Sequence, residues 1–155
     1  RDLKGALVTS PDTLKKSLQS YLNEYRLISD SIDIVDAMVL NVGIEYGVVI
    51  DSVSNKNLTI QNINKELKEY MKIENFQIDQ PIVTSDLISL IINAKGVVSL
   101  VDFRINNLSG LIDGKVYAMN SFSVVANTDR GIVRPPQGAI FEVKFPDDDI
   151  IGYTR

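Results

Sequence analysis

The sequence predicts an α+β fold: a two-layer sandwich in which three helices pack on a small sheet built around one long strand, with a β-rich C-terminal arm. Two observations support this prediction. Apolar residues recur at helical spacing in three segments, and in two further segments they alternate with their neighbours as in a strand. Amphipathic helices must bury their apolar faces, so we expect them to cover one face of the sheet and to leave its other face free for a partner.

The first helix is predicted over about residues 11–29. Ser10 followed by Pro11 is typical of a helix start, because the hydroxyl can accept a hydrogen bond from a free N–H group and proline fits the first helical position. The apolar residues of this segment lie three or four apart on one face: Leu14, Leu18, Tyr21, Leu22, Tyr25 and Ile28. The polar residues 29–31 are expected to end the helix.

A strand of unusual length is predicted over residues 37–51. Its even-numbered residues are apolar without interruption from Met38 to Ile50, whereas its odd-numbered residues are mixed and include Asn41 and Glu45. Such alternation buries one face of a strand. At about 3.3 Å per residue the strand would span about 50 Å, well beyond the usual five or six residues. It therefore needs support from several other elements or from another protein.

Two helices and a second strand are predicted next. Apolar residues repeat at helical spacing through residues 60–72 and again after residue 84, where Thr84 or Ser85 can cap the third helix. Gly96 is expected to close that helix, because glycine adopts the left-handed conformation easily. Residues 97–106 then alternate as a strand that can pair with the first.

The C-terminal third shows a weaker pattern. We expect a helix-strand-helix-helix-strand core at residues 1–106 and a β-rich extension of the same domain at residues 107–155. Residues 115–126 and 139–145 are predicted as short strands, separated by turns rich in Asn, Asp, Gly and Pro. The topology of this part stays open.

Composition excludes several classes of function. The formal net charge is −4 and the isoelectric point is about 4.8, so the chain has no overall attraction for nucleic acid or anionic lipid. Cysteine and histidine are both absent. This removes thiolate chemistry, disulfides and the commonest general base and metal ligand. No apolar run is long enough for a membrane span. The chain also begins without Met, and we expect it to be a fragment of a longer protein.

The carboxylates provide the only candidates for chemistry, and each has a simpler explanation. Residues 147–149 are three consecutive aspartates, but adjacent side chains point in different directions and lack the spacing of a calcium loop. Asp33 with Asp36, or Asp51 with Glu45, could form an acid/base pair, but carboxylates beside a strand are usually solvated. We therefore expect no catalytic residues, no metal and no cofactor.

Five residues near the C-terminus are candidates for a subunit interface. If this segment forms an arm, its aromatic side chains become interface anchors, whereas if it joins the core they are buried. The arginines are expected in surface or interface ion pairs. The candidates are Phe122, Arg130, Arg134, Phe141 and Phe145.

The order of these elements and several sequence pieces resemble the baseplate wedge subunits of contractile-tailed bacteriophages, which are related to the baseplate J-like proteins. The resemblance covers most of the chain, and the order and spacing of the pieces carry it. The pieces are LNEYRLISD (22–30), IDIVDA (32–37), LNVGIEY (40–46), IDQPIVTSDL (78–87), GV (96–97), RGIVRPP (130–136) and IFEVKFPDDDI (140–150).

The resemblance implies the C-terminal part of a structural wedge subunit that self-associates, as a homodimer or higher, and helps form the ring around the tail hub. The location would be the tail baseplate of the virion, assembled in the host cytoplasm. The expected partners are the chain itself and other baseplate proteins, with no nucleic acid, membrane or small-molecule substrate. The alternative is a small α+β regulatory or ligand-binding module, which a concave apolar pocket would favour.

Overall fold

The structure is a computed structural model that describes residues 7–25 and 31–155. The chain divides into two compact units, residues 1–37 and residues 38–155. Helices and strands are both present in quantity, and the predicted α+β class is confirmed.

The first unit contains helix α1, Asp12–Asn23. Its position agrees with the prediction, but the predicted cap is wrong, since Pro11 is the N-cap and no side chain caps the helix. The Pro11 carbonyl accepts hydrogen bonds from the N–H groups of Leu14 and Lys15. Lys15 also forms an ion pair with Asp36. The predicted helix end near residue 29 lies outside the described residues.

The second unit has a mixed sheet and two main helices. Its elements in chain order are β1 (Met38–Ile50), α2 (Lys56–Tyr70), β2 (Ile82–Val83), α3 (Thr84–Asn93), β3 (Val97–Leu108), β4 (Leu111–Ile112), β5 (Lys115–Val116), β6 (Thr128–Asp129), β7 (Ile132–Val133), β8 (Ala139–Glu142), α4 (Pro146–Asp149) and β9 (Ile150–Thr154).

Strand β1 is the centre of the main sheet, as its length and pattern predict. It pairs with β3 in an antiparallel manner on one side, and on the other side it pairs in parallel with β8 and then with β9. Its even-numbered residues from Leu40 to Val48 are buried beneath α2 and α3. The helices contribute Ile63, Leu67, Leu87 and Ile91 to this core.

The third helix begins where it was predicted, but its predicted cap is wrong. Neither Thr84 nor Ser85 caps α3. The Thr84 hydroxyl instead donates to the carbonyl of Gly131, at 2.7 Å, because β2 runs beside β7 and brings that turn close. At the other end α3 stops at Asn93 and its C-cap Ala94 is extended, so the predicted closure of the helix by Gly96 is wrong. Gly96, with a φ of +90°, belongs to the turn that follows, in which the Val97 N–H donates to the Ala94 carbonyl.

The C-terminal third differs most from the prediction. The predicted strand at residues 115–126 is limited to β5, because the side chains of Asn41 and Asn107 accept hydrogen bonds from the backbone N–H groups of Ala118 and Phe122. The predicted strand at 139–145 is shortened to β8. Strand β9 was not predicted as a separate strand. Through β8 and β9, residues 139–142 and 150–154 belong to the central sheet.

Candidate functional site

The face of β1 that points away from α2 and α3, called here the second face, was predicted to be free. At the start of β1 this is wrong, because the chain covers it with its own residues. The Asn41 side chain donates to Glu142 at 2.8 Å and accepts from the Ala118 N–H at 2.7 Å. A Cβ at Gly43 would lie only 3.1 Å from the Asp149 carbonyl oxygen and from Leu108. This end of the face is therefore closed by polar bonds and close packing.

The β4–β5 hairpin lies over this closed end. Asp113 and Gly114 form its turn with φ values of 48° and 78°, as in the tight turns that match the twist of paired strands. The hairpin is attached through Tyr117, whose buried hydroxyl donates to Asp149 at 2.6 Å. The Tyr117 ring also meets Phe145 edge to face, with centroids 5.4 Å apart. The hairpin is thus held firmly on the folded unit.

A small cleft separates the hairpin from the sheet. Its volume is about 160 Å³, and its lining includes Glu45, Lys115, Tyr117 and Asp149. Pockets that hold drug-sized ligands usually measure about 300–1,000 Å³. The cleft is therefore too small for most metabolites.

Tyr117 and Asp149 share a buried hydrogen bond that affects both groups. Burial raises the pKa of Asp149, and the hydrogen bonds that it accepts from Tyr117 and the Phe145 N–H oppose this effect. The pKa of Tyr117 is also raised, by burial and then by the neighbouring Asp149. Tyr117 therefore remains a neutral hydrogen-bond donor at physiological pH. Its hydrogen bond to Asp149 holds the hairpin against the folded unit.

The three consecutive aspartates point to three different partners. Asp147 pairs with Lys68 at 2.6 Å, Asp148 pairs with Lys115 at 2.8 Å, and Asp149 accepts from Tyr117. Among residues 7–25 and 31–155, no group of three acidic, histidine or cysteine side chains is arranged to hold a metal ion.

Two of the four carboxylates considered as acid/base groups, Asp36 and Asp51, have structural partners. Asp36 pairs with Lys15, which lowers its pKa. Hydrogen bonds from the side chain and backbone of Ser54 lower the pKa of Asp51, and the Val53 N–H also donates to it. Lowered values are the opposite of what a general acid at neutral pH requires.

The outer side of the hairpin exposes large apolar side chains. Leu111 and Val116 lie directly opposite each other in the hairpin and are 72% and 63% exposed. Met119 is 84% exposed. Its side chain lies beside Gly110, just before β4, since a Cβ built at Gly110 would be 3.8 Å from the Met119 sulfur. We call these three residues the hairpin patch. A fixed apolar surface of this kind is typical of a protein-binding site.

Strand β3 provides a second exposed feature. In the described part of the chain β3 pairs with β1 alone, so its outer edge carries no partner strand. Its register with β1 shifts near Val98 and Val101, where β3 has an extra residue, and both side chains are exposed. Asp102 and Arg104 form an ion pair at 2.9 Å on the second face.

The structure separates the five predicted interface residues. Phe141 is fully buried in its own chain, and Phe122 packs on it with ring centroids 5.6 Å apart, so neither is an exposed anchor. Phe145 is half-buried against Tyr117. Arg130 and Arg134 are exposed, and their interface role stays a prediction.

Phe141 is buried because of a long-range contact. Phe141 belongs to β8, which pairs with the start of β1 and therefore enters the core. The hairpin patch was not predicted, although the sequence contains a signal for the hairpin turn. Asp113-Gly114, with Leu111-Ile112 before it and Lys115-Val116 after it, is typical of a two-residue hairpin turn.

Comparison with known proteins adds no family to these observations. Neither a scan against protein-family models nor a search of curated proteins finds a match for this chain. Of the helices that the structure describes, none is long and apolar enough to cross a membrane.

Proposed function

We propose that this chain is a structural virion protein: the self-associating domain of a phage tail baseplate wedge subunit that helps form the ring around the tail hub. The identity is supported by the ordered sequence pieces that resemble this family. The observed order of a helix, a long strand, two helices and a strand is the order on which the resemblance depends. The partners proposed are further copies of the chain and neighbouring baseplate proteins.

The hairpin patch is the observation that supports self-association most directly. Its three side chains are large, apolar and exposed, and the hairpin, which carries Leu111 and Val116, is bonded to the core. Burial of apolar surface contributes about 25 cal/mol of favourable free energy per Å². When the surface is already ordered, association loses little conformational entropy, so more of this free energy is retained. A rigid apolar projection is more useful for docking onto protein than for binding a small solute.

The cleft gives the ligand-binding alternative little support. Its volume of about 160 Å³ is below the usual range for ligand sites. Four of its polar groups are already engaged, since Lys115 pairs with Asp148 and Tyr117 bonds to Asp149.

Sedimentation of the purified chain tests self-association. We expect a dimer or larger species at micromolar concentration, and we expect the double variant Leu111→Ser/Val116→Ser to weaken it about tenfold or more, since it removes the apolar face of the hairpin. The matched control is Val53→Ser/Val125→Ser, which changes two exposed valines outside the patch and should leave association unchanged. A wild-type chain that stays monomeric at hundreds of micromolar would contradict the proposal.

Electron microscopy tests the baseplate location. Phage tails produced by the genome that encodes this chain would be labelled with an antibody against residues 38–155. We expect the label at the end of the tail that carries the baseplate, and fully labelled tail tubes or unlabelled tails would rule out this location.

A further inference from the structure

The outer edge of β3 is a long unpaired strand edge. The strand has 12 residues, Val97–Leu108, and its only strand partner in the described chain is β1. An edge of this length offers a row of free N–H and C=O groups to another strand.

Two opposite charges lie side by side on one face of β3. Asp102 and Arg104 are two residues apart and lie on the same face of the sheet, the second face. On the inner side, β1 places Glu45 opposite Arg104 but Gly47 opposite Asp102. Asp102 therefore has no cross-strand cation within its own sheet, and its contacts are Arg104 on the same strand and the Tyr153 hydroxyl at 3.3 Å.

Two identical strands can pair antiparallel about a two-fold axis perpendicular to the sheet. Rotation about this axis leaves each side chain on its own face, so only registers that pair residues of the same face are allowed. Such registers are centred on one residue, which then lies opposite itself. A centre at Asp102 or at Arg104 places like charges opposite each other, which is unfavourable. A centre at Phe103 places Asp102 of each copy opposite Arg104 of the other. Of the three registers centred at residues 102–104, only this one forms two opposite-charge pairs.

We propose that two copies of the chain associate edge to edge through β3, antiparallel about a two-fold axis at Phe103, with reciprocal Asp102–Arg104 ion pairs. This inference rests on the proposed self-association and names one of its interfaces. The pairing joins the two main sheets into one continuous sheet and forms an isologous contact, in which the same surface serves both copies. The extra residues of β3 at Val98 and Val101 lie outside residues 102–104, so the regular ladder consists of the three residue pairs about the axis.

Reversing the charges one at a time provides the test. The full chain would be made as Asp102→Arg and, separately, as Arg104→Asp. Each variant carries two like charges on β3, and the two-fold axis places them opposite each other twice. We therefore expect the dimer affinity of each variant alone, measured by sedimentation equilibrium, to be at least about tenfold lower than that of wild type. An equimolar mixture pairs an all-positive edge with an all-negative edge, and we expect it to form a one-to-one dimer with near-wild-type affinity.

The mixture separates an interface from an effect on folding. The ion pair within each chain is lost in both variants and cannot be restored by mixing, whereas the pairs between chains can be. The controls are Glu66→Arg and Lys65→Glu, which reverse exposed charges on α2 and should not change the dimer affinity. Circular dichroism would establish that each variant is folded.

Each outcome decides the inference. Weak single variants with recovery in the mixture support it. Single variants that dimerise as wild type, or a mixture that does not recover, overturn the β3 interface but leave self-association through another surface intact. A wild-type chain that is monomeric at hundreds of micromolar overturns both this inference and the proposed function.

Discussion

At the scale of single residues, a few buried polar side chains determine the form of the C-terminal third. Asn41 sits in the middle of an apolar strand, yet it is buried and bonded to Glu142 and to the backbone of Ala118. Asp149 is buried and bonded to Tyr117. Buried polar groups are costly unless they are bonded, so these pairs specify which segment lies over the second face.

Asp149 leads to a prediction about pH. Because burial raises its folded pKa above the ordinary value of 3.8, the native state binds this proton more tightly than the unfolded state does. The free energy of unfolding of wild type, measured relative to Asp149→Asn by urea titration, should therefore fall as pH rises from about 3.8 through the raised folded pKa.

Asp147 provides a control of opposite sign for this prediction. Its hydrogen bond with Lys68 lowers its folded pKa, so its contribution is present above the unfolded pKa and is lost as pH falls through the folded value. The free energy of unfolding of wild type, measured relative to Asp147→Asn, should therefore rise as pH increases from the lowered folded pKa to about 3.8. Parallel curves for the two positions would show that Asp149 is not titrating as a buried carboxyl.

At the scale of elements, the junction between α3 and β3 depends on one glycine. Gly96 turns the chain with a φ of +90°, and a Cβ there would lie 2.6 Å from the Ser54 hydroxyl oxygen. The position thus requires both a left-handed backbone and a missing side chain. The hairpin glycine Gly114 has a similar φ of 78°, but a Cβ there would have no atom within 4 Å.

These two glycines permit a matched comparison of stability. We expect Gly114→Ala to cost about 1–2 kcal/mol of unfolding free energy, which is the price of the left-handed conformation alone. Gly96→Ala should cost about 1–3 kcal/mol more, because overpacking against Ser54 is added. Urea unfolding followed by circular dichroism measures both values. Equal costs would mean that the loop at Ser54 yields freely and that the close approach has no energetic role.

At the scale of the whole molecule, the end of the chain is part of the central sheet. Strand β9 pairs in parallel with the middle of β1, from Ile44 to Val48, and its first residue Ile150 is buried. The long strand predicted to need support thus finds it within its own chain, on both edges. Residues 107–155 are not a loose arm in this unit.

Fragments of the chain test this conclusion. We expect residues 38–155 expressed alone to unfold in one cooperative thermal transition, because this compact unit contains the described core. Residues 38–149, which lack β9, should lose that transition, since Ile150 and one side of β1 become exposed. Circular dichroism melts compare the two fragments, and a 38–149 melt as sharp as that of 38–155 would refute the role given to β9.

The sequence was most informative where structure depends on neighbours along the chain. Alternation predicted β1 and β3, and helical spacing predicted α2 and α3, because these periods follow from backbone geometry. It was least informative for the candidate surface. Phe141 is a predicted interface residue that is buried in the core, whereas Leu111 and Val116, which were not predicted, are exposed.

The sequence by itself therefore determined the α+β class, the long central strand and the helical faces that cover it. Only the tertiary structure decided which segments flank that strand and which face stays open. The reason is distance along the chain: Asn41 and Glu142 are 101 residues apart, and local spacing shows that a face must be covered without showing by which segment. That choice depends on the fit of all segments at once, and it leaves the hairpin patch and the β3 edge exposed.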